Sequence, residues 1–430
     1  MDQLIRVAPS PVHAQLIIPG SKSITNRALL LAALAKGVSE ISGILISDDT
    51  LAMINALQEL GIVIQLDKNA CSCIVGGGNG QFPRQTASIW CGDSGIVARF
   101  LLAACSASSG VYTLTGSEQL RKRPIAELVR VLAHLGAKIV YENGKQLPAT
   151  VAGVDALRGG KITVDATETG QFVSALLLIA PFAKTSFIIQ AAELVSSPYI
   201  EMTCTMMSEF GVLVRRLHQT CFSVPVPQRY QACDYKVEPD FSTASYFFAA
   251  AAITGGEVTI QPVSVQHSKQ GDVAFLKVLE KMGCTIIANE QGLTVKGAVE
   301  LRGVHVDMRD FSDIFMTLAV IAPFANTPIT MTNIGHTCHK ESNRLAVTYT
   351  ELEKLGVKVE RGADWLKVYP GTPHGAAIDS HHDHRIAMAF TVMGLRVPGI
   401  IISGAECVSK TCPDFFKLWH DLYQDESPLQ

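Results

Sequence analysis

The sequence predicts a mixed α/β protein of two domains, each built from three copies of one repeated unit of helices and strands. Three observations lead to this prediction: the chain has 430 residues, one helix-ending segment recurs five times, and an apolar helix precedes it in each copy. A chain of this length exceeds what a single hydrophobic core covers, so two or three domains are expected. Hydrophobic residues make up 48% of the chain and charged residues 17%, which indicates a compact globular protein.

The recurring segment predicts a helix that ends at a glycine and is followed by a strand. Its copies are INALQELG, VRVLAHLG, TMMSEFG, LKVLEKMG and YTELEKLG, ending at Gly61, Gly136, Gly211, Gly283 and Gly356. Apolar residues recur at helical intervals, and the glycine stands where a helix end needs positive φ. Alternating segments such as IVIQL and AKIVY follow. We expect Pro124, Pro198 and Pro413 in the first turns of three of these helices.

A second helix in each copy is small, apolar and nearly uncharged. Its copies are ALLLAALA, VARFLLAACSA, FVSALLLIAPFA, SYFFAAAAI, IFMTLAVIAPFA and RIAMAFTVMG. Such helices are typical of a domain interior. With the last copy ending at PDFFKLWHDLY, six copies predict two domains of three repeats each.

Polar residues stand at the entrance of every buried helix. They are Ser21-Lys22-Ser23, Gly92-Asp93-Ser94-Gly95, Thr169-Gly170-Gln171, Asp240-Phe241-Ser242-Thr243, Asp313 and Asp383-His384-Arg385. A helix N-terminus offers unpaired N–H groups and the positive end of its dipole to an anion. For one isolated helix, capping by Ser21 and Ser23 with Lys22 and Arg27 in solvent would be the better interpretation. Because the pattern recurs six times, we predict an anion site lined by Lys22, Ser23 and Arg27.

Composition and termini exclude several classes of function. The net charge of −3 gives no basic field for nucleic acid or an anionic membrane. The first residues lack a signal peptide, and every apolar run is shorter than a membrane span, so a soluble cytoplasmic protein is expected. Eleven cysteines without a CxxC pair indicate reduced core residues.

Two further motifs are interpreted as structural. The histidines at 336, 339, 381, 382 and 384 could supply metal ligands, but they lack HExxH or paired CxxC spacing, so no metal site is expected. The GGGNG segment at 76–80 lacks the P-loop lysine and is interpreted as a turn between strands.

Several sequence blocks, occurring in order on the repeat, resemble the 5-enolpyruvylshikimate-3-phosphate (EPSP) synthase family over about residues 5 to 423. They are PGSKSITNRALLLAA, DDTLAMINALQELG, RKRPI, LVSSPYIE, HKESNRL, DHRIAM and SKTCPDFF. The resemblance implies transfer of the enolpyruvyl group of phosphoenolpyruvate to the 5-hydroxyl of shikimate 3-phosphate by addition and elimination. It also implies six βαβαββ repeats arranged as an inside-out α/β barrel, with residues 1–20 plus 240–430 as domain I and 21–239 as domain II. The active site would lie in the interdomain cleft, without cofactor or metal, and the protein is expected to be a monomer.

The resemblance also assigns residues to the two substrates, which as polyanions require several cations. The shikimate 3-phosphate side would comprise Lys22, Ser23, Arg27, Thr169, Gly170, Gln171, Ser196, Tyr199, Asp313, His336 and Lys340. The phosphoenolpyruvate side would comprise Lys22, Gly95, Arg123, Gln171, Arg344, His384, Arg385 and Lys410. Asp313 is the candidate base for the hydroxyl proton, and Glu341 and Lys22 are candidates for protonating the methylene carbon and for later proton transfers.

Alternatives remain open for the acidic candidates. Asp313 in FSDIFMTLAV could be a helix cap. Lys340 and Glu341 could form a solvated pair on a helix, with Arg344 one turn away.

Four positions depart from the usual family pattern. The second-repeat loop has Asp93-Ser94-Gly95-Ile96 where Asn-Ala-Gly-Thr is usual, Phe100 follows Arg99 in place of proline, Thr169-Gly170 replaces a serine-containing pair, and His336 replaces an asparagine. Asp93 adds a negative charge near an anion site unless it caps the helix. The bulk of Ile96 and Phe100 leads to the hypothesis that glyphosate, which occupies the phosphoenolpyruvate site in the family, inhibits this protein poorly.

Three competing functions are kept. A UDP-N-acetylglucosamine enolpyruvyl transferase would usually have asparagine after the site lysine, where Ser23 stands here. A non-catalytic binding paralogue would have little reason to keep Asp313, Glu341 and the cations together. An enolpyruvyl transferase acting on another phosphorylated cyclic alcohol is the third.

Overall fold

The computed structural model describes residues 1–142, 144–263, 265–266, 268–290 and 292–423. The chain forms two compact units. We call Gly20–Glu238 the continuous unit, and Met1–Pro19 with Pro239–Gln430 the split unit. Each has its own cluster of buried apolar side chains.

The elements follow one another in the order that the repeat predicts. The first 19 residues contain β1 (Asp2–Leu4) and β2 (His13–Ile17). The continuous unit contains α1 (Lys22–Leu34), β3 (Lys36–Ser42), α2 (Asp48–Glu59), β4 (Val63–Asp67), β5 (Ser72–Gly78), β6 (Thr86–Trp90), α3 (Gly95–Ser106), β7 (Gly110–Thr115), α4 (Glu118–Arg121), α5 (Ala126–His134), β8 (Lys138–Tyr141), β9 (Ala149–Gly153), β10 (Gly160–Ala166), α6 (Gln171–Ile179), β11 (Phe187–Leu194), α7 (Ser197–Glu209), β12 (Arg215–His218), β13 (Cys221–Val224) and β14 (Tyr235–Lys236).

The rest of the split unit continues the pattern to the end of the described chain. It contains α8 (Phe241–Thr254), β15 (Glu257–Gln261), α9 (Ala274–Lys281), β16 (Thr285–Asn289), β17 (Gly292–Lys296), β18 (His305–Asp307), α10 (Phe315–Ile321), β19 (Ile329–Thr332), α11 (Arg344–Lys354), β20 (Val359–Arg361), β21 (Leu366–Val368), β22 (Ala377–Asp379), α12 (His384–Met393), β23 (Ile401–Ser403) and α13 (Phe415–His420). No helix within the described ranges is long and apolar enough to cross a membrane.

Five of the sheets seen in the described chain have four strands and one topology. In the sheet β6-β7-β9-β8, the first two strands of the repeat pair in parallel and the hairpin partners pair antiparallel. This is the βαβαββ order that the resemblance implies, so the predicted fold class is confirmed. The sixth repeat forms a three-stranded sheet, β1-β23-β22.

The N-terminal segment supplies strands to two repeats that lie far along the chain. Strand β2 pairs in parallel with β15, and β1 pairs antiparallel with β23. In the continuous unit, β14 takes the corresponding first position and pairs in parallel with β3. The first strand of the first and fourth repeats therefore comes from outside the run of residues that forms the rest of that repeat.

The repeated glycines end helices as predicted. All five of them have positive φ, between 75° and 113°, a conformation that costs glycine little. The proline prediction holds only in α7, where Pro198 lies in the first turn. It is wrong for Pro124 and Pro413, because α5 begins after Ile125 and α13 after Asp414.

The six apolar helices lie in the two cores. They are α1, α3 and α6 in the continuous unit, and α8, α10 and α12 in the split unit. Both α6 and α10 change to a short 3₁₀ turn with the sequence Ala-Pro-Phe, because proline cannot continue the α-helical hydrogen-bond ladder. Because these helices are buried, the polar residues at their N-termini are held by well-packed elements of each unit.

Candidate active site

Arg344 is the centre of an ion network in the split unit. The residue begins α11, and its side chain is 1% exposed. Its guanidinium contacts three carboxylates: Nη1 lies 2.9 Å from Asp313 Oδ1, Nη2 lies 2.6 Å from Glu341 Oε2, and Nε lies 2.8 Å from Asp383 Oδ2. Burial alone lowers the pKa of Arg344, but these carboxylates outweigh that cost and raise the pKa above its ordinary value.

Local structure explains how Asp383 reaches this network. Asp383 caps α12, and its Oδ1 accepts a hydrogen bond from the backbone N–H of Arg385 at 3.0 Å. The hydroxyl of Ser342 donates to Oδ2 at 3.0 Å. The cap therefore holds both the carboxylate and the start of the helix that carries His384 and Arg385.

Asp313 lies in a 3₁₀ turn just before α10 and is held by three cations. Its carboxylate lies 3.4 Å from Lys340 Nζ, 2.9 Å from Arg344 Nη1 and 3.2 Å from Arg385 Nη2. Burial raises the pKa of Asp313, but these cations outweigh it and hold the pKa well below the ordinary value. The helix-cap alternative is wrong, because neither short helix beside Asp313 has a side-chain cap.

Glu341 and its neighbours are also drawn into this network. Glu341 Oε1 lies 3.2 Å from Lys410 Nζ while Oε2 contacts Arg344. The side chain is 7% exposed, and the residue precedes α11. The alternative of a solvated pair of Lys340 and Glu341 on a helix is therefore wrong.

His336 lies in a separate 3₁₀ helix, Gly335–His339, and is hydrogen-bonded to the 3₁₀ turn that carries Asp313. Its Nε2 lies 2.8 Å from the hydroxyl of Ser312. Burial, followed by the nearby charge of Lys340, lowers the pKa of His336 to about 4. The imidazole is therefore neutral at pH 7, and it can donate or accept a hydrogen bond as the usual asparagine would. His384 is buried at the start of α12, with Nδ1 3.8 Å from Asp383 Oδ1.

Arg27 occupies a different environment in the continuous unit. The residue is 1% exposed on α1, and Nε donates to Thr203 Oγ1 at 2.8 Å. Nη1 donates to the carbonyl of Ser23 at 2.9 Å, and Nη2 to the carbonyl of Tyr199 at 3.2 Å. The guanidinium carbon lies 5.1 Å from the centre of the Phe100 ring. Burial lowers the pKa of Arg27 to about 10, and no carboxylate of the described residues forms an ion pair with it.

The first turn of α1 carries the other candidates of that helix. Lys22 Nζ lies 3.2 Å from Asp49 Oδ2, at the first turn of α2. Ser21 is the N-cap residue, but its side chain makes no capping hydrogen bond, and its buried hydroxyl has no partner among the described residues. The capping alternative for Ser21 is therefore wrong, and the α1 entrance keeps polar groups available.

Gly95 and three polar side chains lie together at the starts of α3 and α6. A Cβ at Gly95 would lie 3.0 Å from Nη1 of both Arg99 and Arg123, so the glycine permits close approach of the two guanidinium groups. Arg99 Nη1 donates to Gln171 Oε1 at 2.7 Å, and its other nitrogens bond to the Pro124 carbonyl. Arg123 Nη1 approaches the carbonyl of Asp93 at 3.5 Å.

Asp93 does not cap α3. Ser94 is the N-cap residue, and its hydroxyl accepts from the Val97 N–H at 3.4 Å, while Asp93 is exposed. Capping therefore does not offset the Asp93 charge, and the added negative charge stands as a departure from the family pattern. Solvent around an exposed carboxylate weakens its repulsion of a bound anion.

The third-repeat residues lie on α6 and α7. Thr169 Oγ1 accepts from the Gln171 N–H at 3.2 Å, and a Cβ at Gly170 would lie 2.7 Å from the Val195 carbonyl oxygen. Serine at 170 would therefore require a backbone shift. Ser196 has φ 55° and ψ 46°, a left-handed conformation that is costly for serine. Such strain is often found at functional sites, and it lies one turn from Tyr199.

The structure thus brings the split-unit candidates into one network, except that His384 touches only its edge. In the continuous unit, Ser23, Arg27 and Tyr199 meet directly, and Gly95, Arg123 and Gln171 gather around Arg99. Sequence reasoning left four supporting residues out of the candidate set: Asp49, Arg99, Asp383 and Thr203. Asp49 and Asp383 stand in the quoted DDT and DHR blocks, whereas nothing in the sequence indicated Thr203.

No group of three or more potential metal ligands occurs within the described ranges. The cations and carboxylates can instead hold anionic groups and move protons.

Comparison with known proteins identifies the family to which this chain belongs. The profile of the family described as EPSP synthase (3-phosphoshikimate 1-carboxyvinyltransferase) matches residues 7–419. The chain belongs to the EPSP synthase family.

Similar sequences and structures agree with this family assignment. The 3-phosphoshikimate 1-carboxyvinyltransferase of Trichormus variabilis is 45% identical over 94% of this chain and 95% of its own. That of Colwellia psychrerythraea is 41% identical over 97% and 98%. The solved structure of EPSP synthase from Acinetobacter baumannii matches with a TM-score of 0.82 and 26% identity, covering 97% of both chains. The predicted EPSP synthase family, fold and transferase activity are confirmed.

Proposed function

We propose that this chain transfers the enolpyruvyl group of phosphoenolpyruvate to the 5-hydroxyl of shikimate 3-phosphate and releases phosphate. Asp313 carries the proposal, because its side chain is 14% exposed and three cations keep it ionised. An ionised carboxylate within reach of a hydroxyl has the protonation state that a general base requires.

The cations divide between the two substrates. Lys22, Ser23, Arg27, Thr169, Gly170, Gln171, Ser196, Tyr199, Asp313, His336 and Lys340 serve shikimate 3-phosphate. Lys22, Gly95, Arg123, Gln171, Arg344, His384, Arg385 and Lys410 serve phosphoenolpyruvate. Arginine suits this task because its planar fork can bind two oxygens of a phosphate or carboxylate. The buried Arg27, which lacks a carboxylate partner among the described residues, supports assignment of this side to an anion.

Proton transfers follow from the charge states of the acidic candidates. In the addition step, the 5-hydroxyl of shikimate 3-phosphate gives its proton to Asp313 while the hydroxyl oxygen bonds to the phosphate-bearing carbon of phosphoenolpyruvate. An ammonium group protonates the neighbouring methylene carbon. Lys22 fits this donor role, since Asp49 holds its Nζ at 3.2 Å. In the elimination step, Glu341 takes a proton from the new methyl group while phosphate leaves. The two carboxylate oxygens of Glu341 contact Arg344 and Lys410. These cations would favour the ionised carboxylate, the form that can take up the proton.

The test is phosphate release by the purified protein with both substrates. Release should require shikimate 3-phosphate, and Asp313→Ala should abolish it. The matched control is Asp364→Ala, an exposed aspartate of the same unit, which should retain full release. UDP-N-acetylglucosamine serves as the alternative acceptor.

Each outcome separates the competing functions. Phosphate release with UDP-N-acetylglucosamine alone would show that the protein is a UDP-N-acetylglucosamine enolpyruvyl transferase. Binding of shikimate 3-phosphate without phosphate release would show that it is a non-catalytic binding paralogue. Glu341→Gln should retain the first step and accumulate the addition product, which rapid quenching would detect. Equal loss of both steps in that variant would contradict the role given to Glu341.

Glyphosate tolerance is a separate proposal about the same site. Ile96 and Phe100 are buried in the first turns of α3, next to the Gly95 that approaches both guanidinium groups. We expect weak inhibition by glyphosate, and greater sensitivity in an Ile96→Thr, Phe100→Pro variant. Potent inhibition of the parent, or an equally tolerant variant, would contradict the proposal.

We also propose a cytoplasmic monomer. All eleven cysteines are free thiols, as is typical of a reducing compartment. Cell fractionation and sedimentation would test the location and the oligomeric state.

A further inference from the structure

Two arginines of the continuous unit lie over phenylalanine rings of a neighbouring buried helix. The guanidinium carbon of Arg27 on α1 lies 5.1 Å from the ring centre of Phe100 on α3. That of Arg99 on α3 lies 5.5 Å from the ring centre of Phe172 on α6. Both distances are within the range of cation–π attraction. The same contact therefore occurs twice, from one apolar helix to the next.

We propose that Phe100 is a positioning residue for Arg27, holding its guanidinium ready for an anionic group of the substrate. The inference rests on the proposed function and deepens it, because Arg27 belongs to the shikimate 3-phosphate side. Phe100 is fully buried and occupies the position where the family usually has proline, so this chain has its own means of holding the cation.

The chemistry of a ring differs from that of a carboxylate in one decisive way. A carboxylate would stabilise buried Arg27 by cancelling its charge, and it would then compete with the substrate phosphate. The face of an aromatic ring attracts a cation but carries no net charge. Arg27 thus keeps its full positive charge for the ligand.

The hydrogen bonds of Arg27 leave room for such a ligand. A guanidinium has five N–H donors, and Arg27 makes three hydrogen bonds to described residues, namely Thr203, Ser23 and Tyr199. The remaining two N–H groups are on Nη1 and Nη2, one on each. Two neighbouring N–H groups are the arrangement that binds two oxygens of one phosphate.

The test replaces Phe100 by 3,4,5-trifluorophenylalanine, which weakens the attraction for a cation while nearly keeping the shape of the ring. We measure binding of shikimate 3-phosphate by calorimetry, and kcat and KM in the same preparations. The expected result is a roughly tenfold higher Kd, equivalent to about 1.4 kcal/mol, with a larger change in KM than in kcat. Phe100→Leu should weaken binding at least as much.

The matched control is the same replacement at Phe182. Its ring lies 5.4 Å from the guanidinium carbon of Arg229, an exposed arginine of the continuous unit outside the candidate site. Fluorination there should leave the Kd unchanged. Unchanged binding after fluorination of Phe100, or an equal loss at both positions, would overturn the proposal. Failure of the unmodified protein to bind shikimate 3-phosphate would instead overturn the proposed function and the inference with it.

Discussion

Arg344 in the split unit and Arg27 in the continuous unit are equally buried, yet their surroundings treat the charge in opposite ways. Three carboxylates surround Arg344 and raise its pKa, whereas neutral oxygens and a ring surround Arg27, whose pKa burial lowers to about 10. The difference shows that burial alone does not determine the role of an arginine; the charges of its neighbours do. Arg344 organises the acidic groups around it, while Arg27 retains charge that a ligand can use.

The largest effect is expected from Arg344→Met. The substitution leaves Asp313, Glu341 and Asp383 without their shared cation, and loss of one partner from a buried ion pair typically costs about 3–5 kcal/mol. Urea unfolding should show a decrease of that size in the free energy of unfolding. The control Arg361→Met, at an exposed arginine of the same unit, should stay within about 0.5 kcal/mol of the parent. Equal stability of the two variants would contradict the conclusion that Arg344 organises the carboxylates around it.

Arg27→Met should give the opposite pattern. Removal of a buried cation that no described carboxylate needs should lower the free energy of unfolding by less than Arg344→Met does, because only hydrogen bonds to neutral acceptors and one ring contact are lost. Binding of shikimate 3-phosphate should weaken by about 2–5 kcal/mol, because the ligand charge loses its partner. Calorimetry and urea unfolding measure the two quantities, with Arg229→Met as the exposed control. A loss of stability as large as that of Arg344→Met would mean that Arg27 is structural.

Asp272 sharpens the comparison, because it is a buried acid that Arg344 does not touch. Its Oδ2 accepts from the Ser242 hydroxyl, while Oδ1 has no partner among the described residues. Burial, partly offset by Arg385, raises its pKa from 3.8 to about 6. The folded state therefore binds more protons between these values, and its stability falls as the pH rises through this window.

Replacement of Asp272 by asparagine should remove this decrease in stability with rising pH. The stability of the variant relative to the parent should rise by about 3 kcal/mol between pH 3.5 and pH 8. Urea unfolding at several pH values tests this, with the exposed Asp364→Asn as control. A difference that does not change with pH would show that folding leaves the pKa of Asp272 unchanged, and would contradict the prediction.

The smallest effect is expected from His336→Asn. The folded pKa of about 4 lies below the ordinary 6.5, so the unfolded state binds more protons in this window and stability rises with pH. The parent should lose about 1.4 kcal/mol at pH 5.5 relative to pH 8, and the variant should lack this contribution. Its kcat at pH 7 should remain close to that of the parent, since both side chains are neutral there. The control His305→Asn alters an exposed histidine on β18, and an equal change there would contradict the assignment.

Local patterns in the sequence predicted the repeats, their apolar helices and the glycines that end helices. These features depend on residues near one another in the chain. The pairing of β2 with β15 was different, because its residues are separated by most of the chain and only the family resemblance implied it. Likewise, the motifs located Asp313 and Arg344, but the shared guanidinium contacts and the depressed pKa of Asp313 arise only once three segments pack together.

The partners of the candidate residues were harder to predict than the candidates. Asp49 and Asp383 are common N-terminal helix residues, and their sequence positions do not specify which cation they contact. Thr203 and Phe100 are side chains of apolar helical segments, so periodicity assigns them to the core. Their contacts with Arg27 depend on the packing of α1 against α3 and α7.

The placement of β1 and β2 affects how the protein emerges from the ribosome. These strands are synthesised first, but about 220 residues of the continuous unit must follow before the remainder of the split unit is made. The continuous unit has all its strands by residue 238 and can assemble during translation, since domains generally fold as units in order of synthesis. Strands β1 and β2 must meanwhile await their partners, so two sheets of the split unit can be completed only after β15 and β23 have been made.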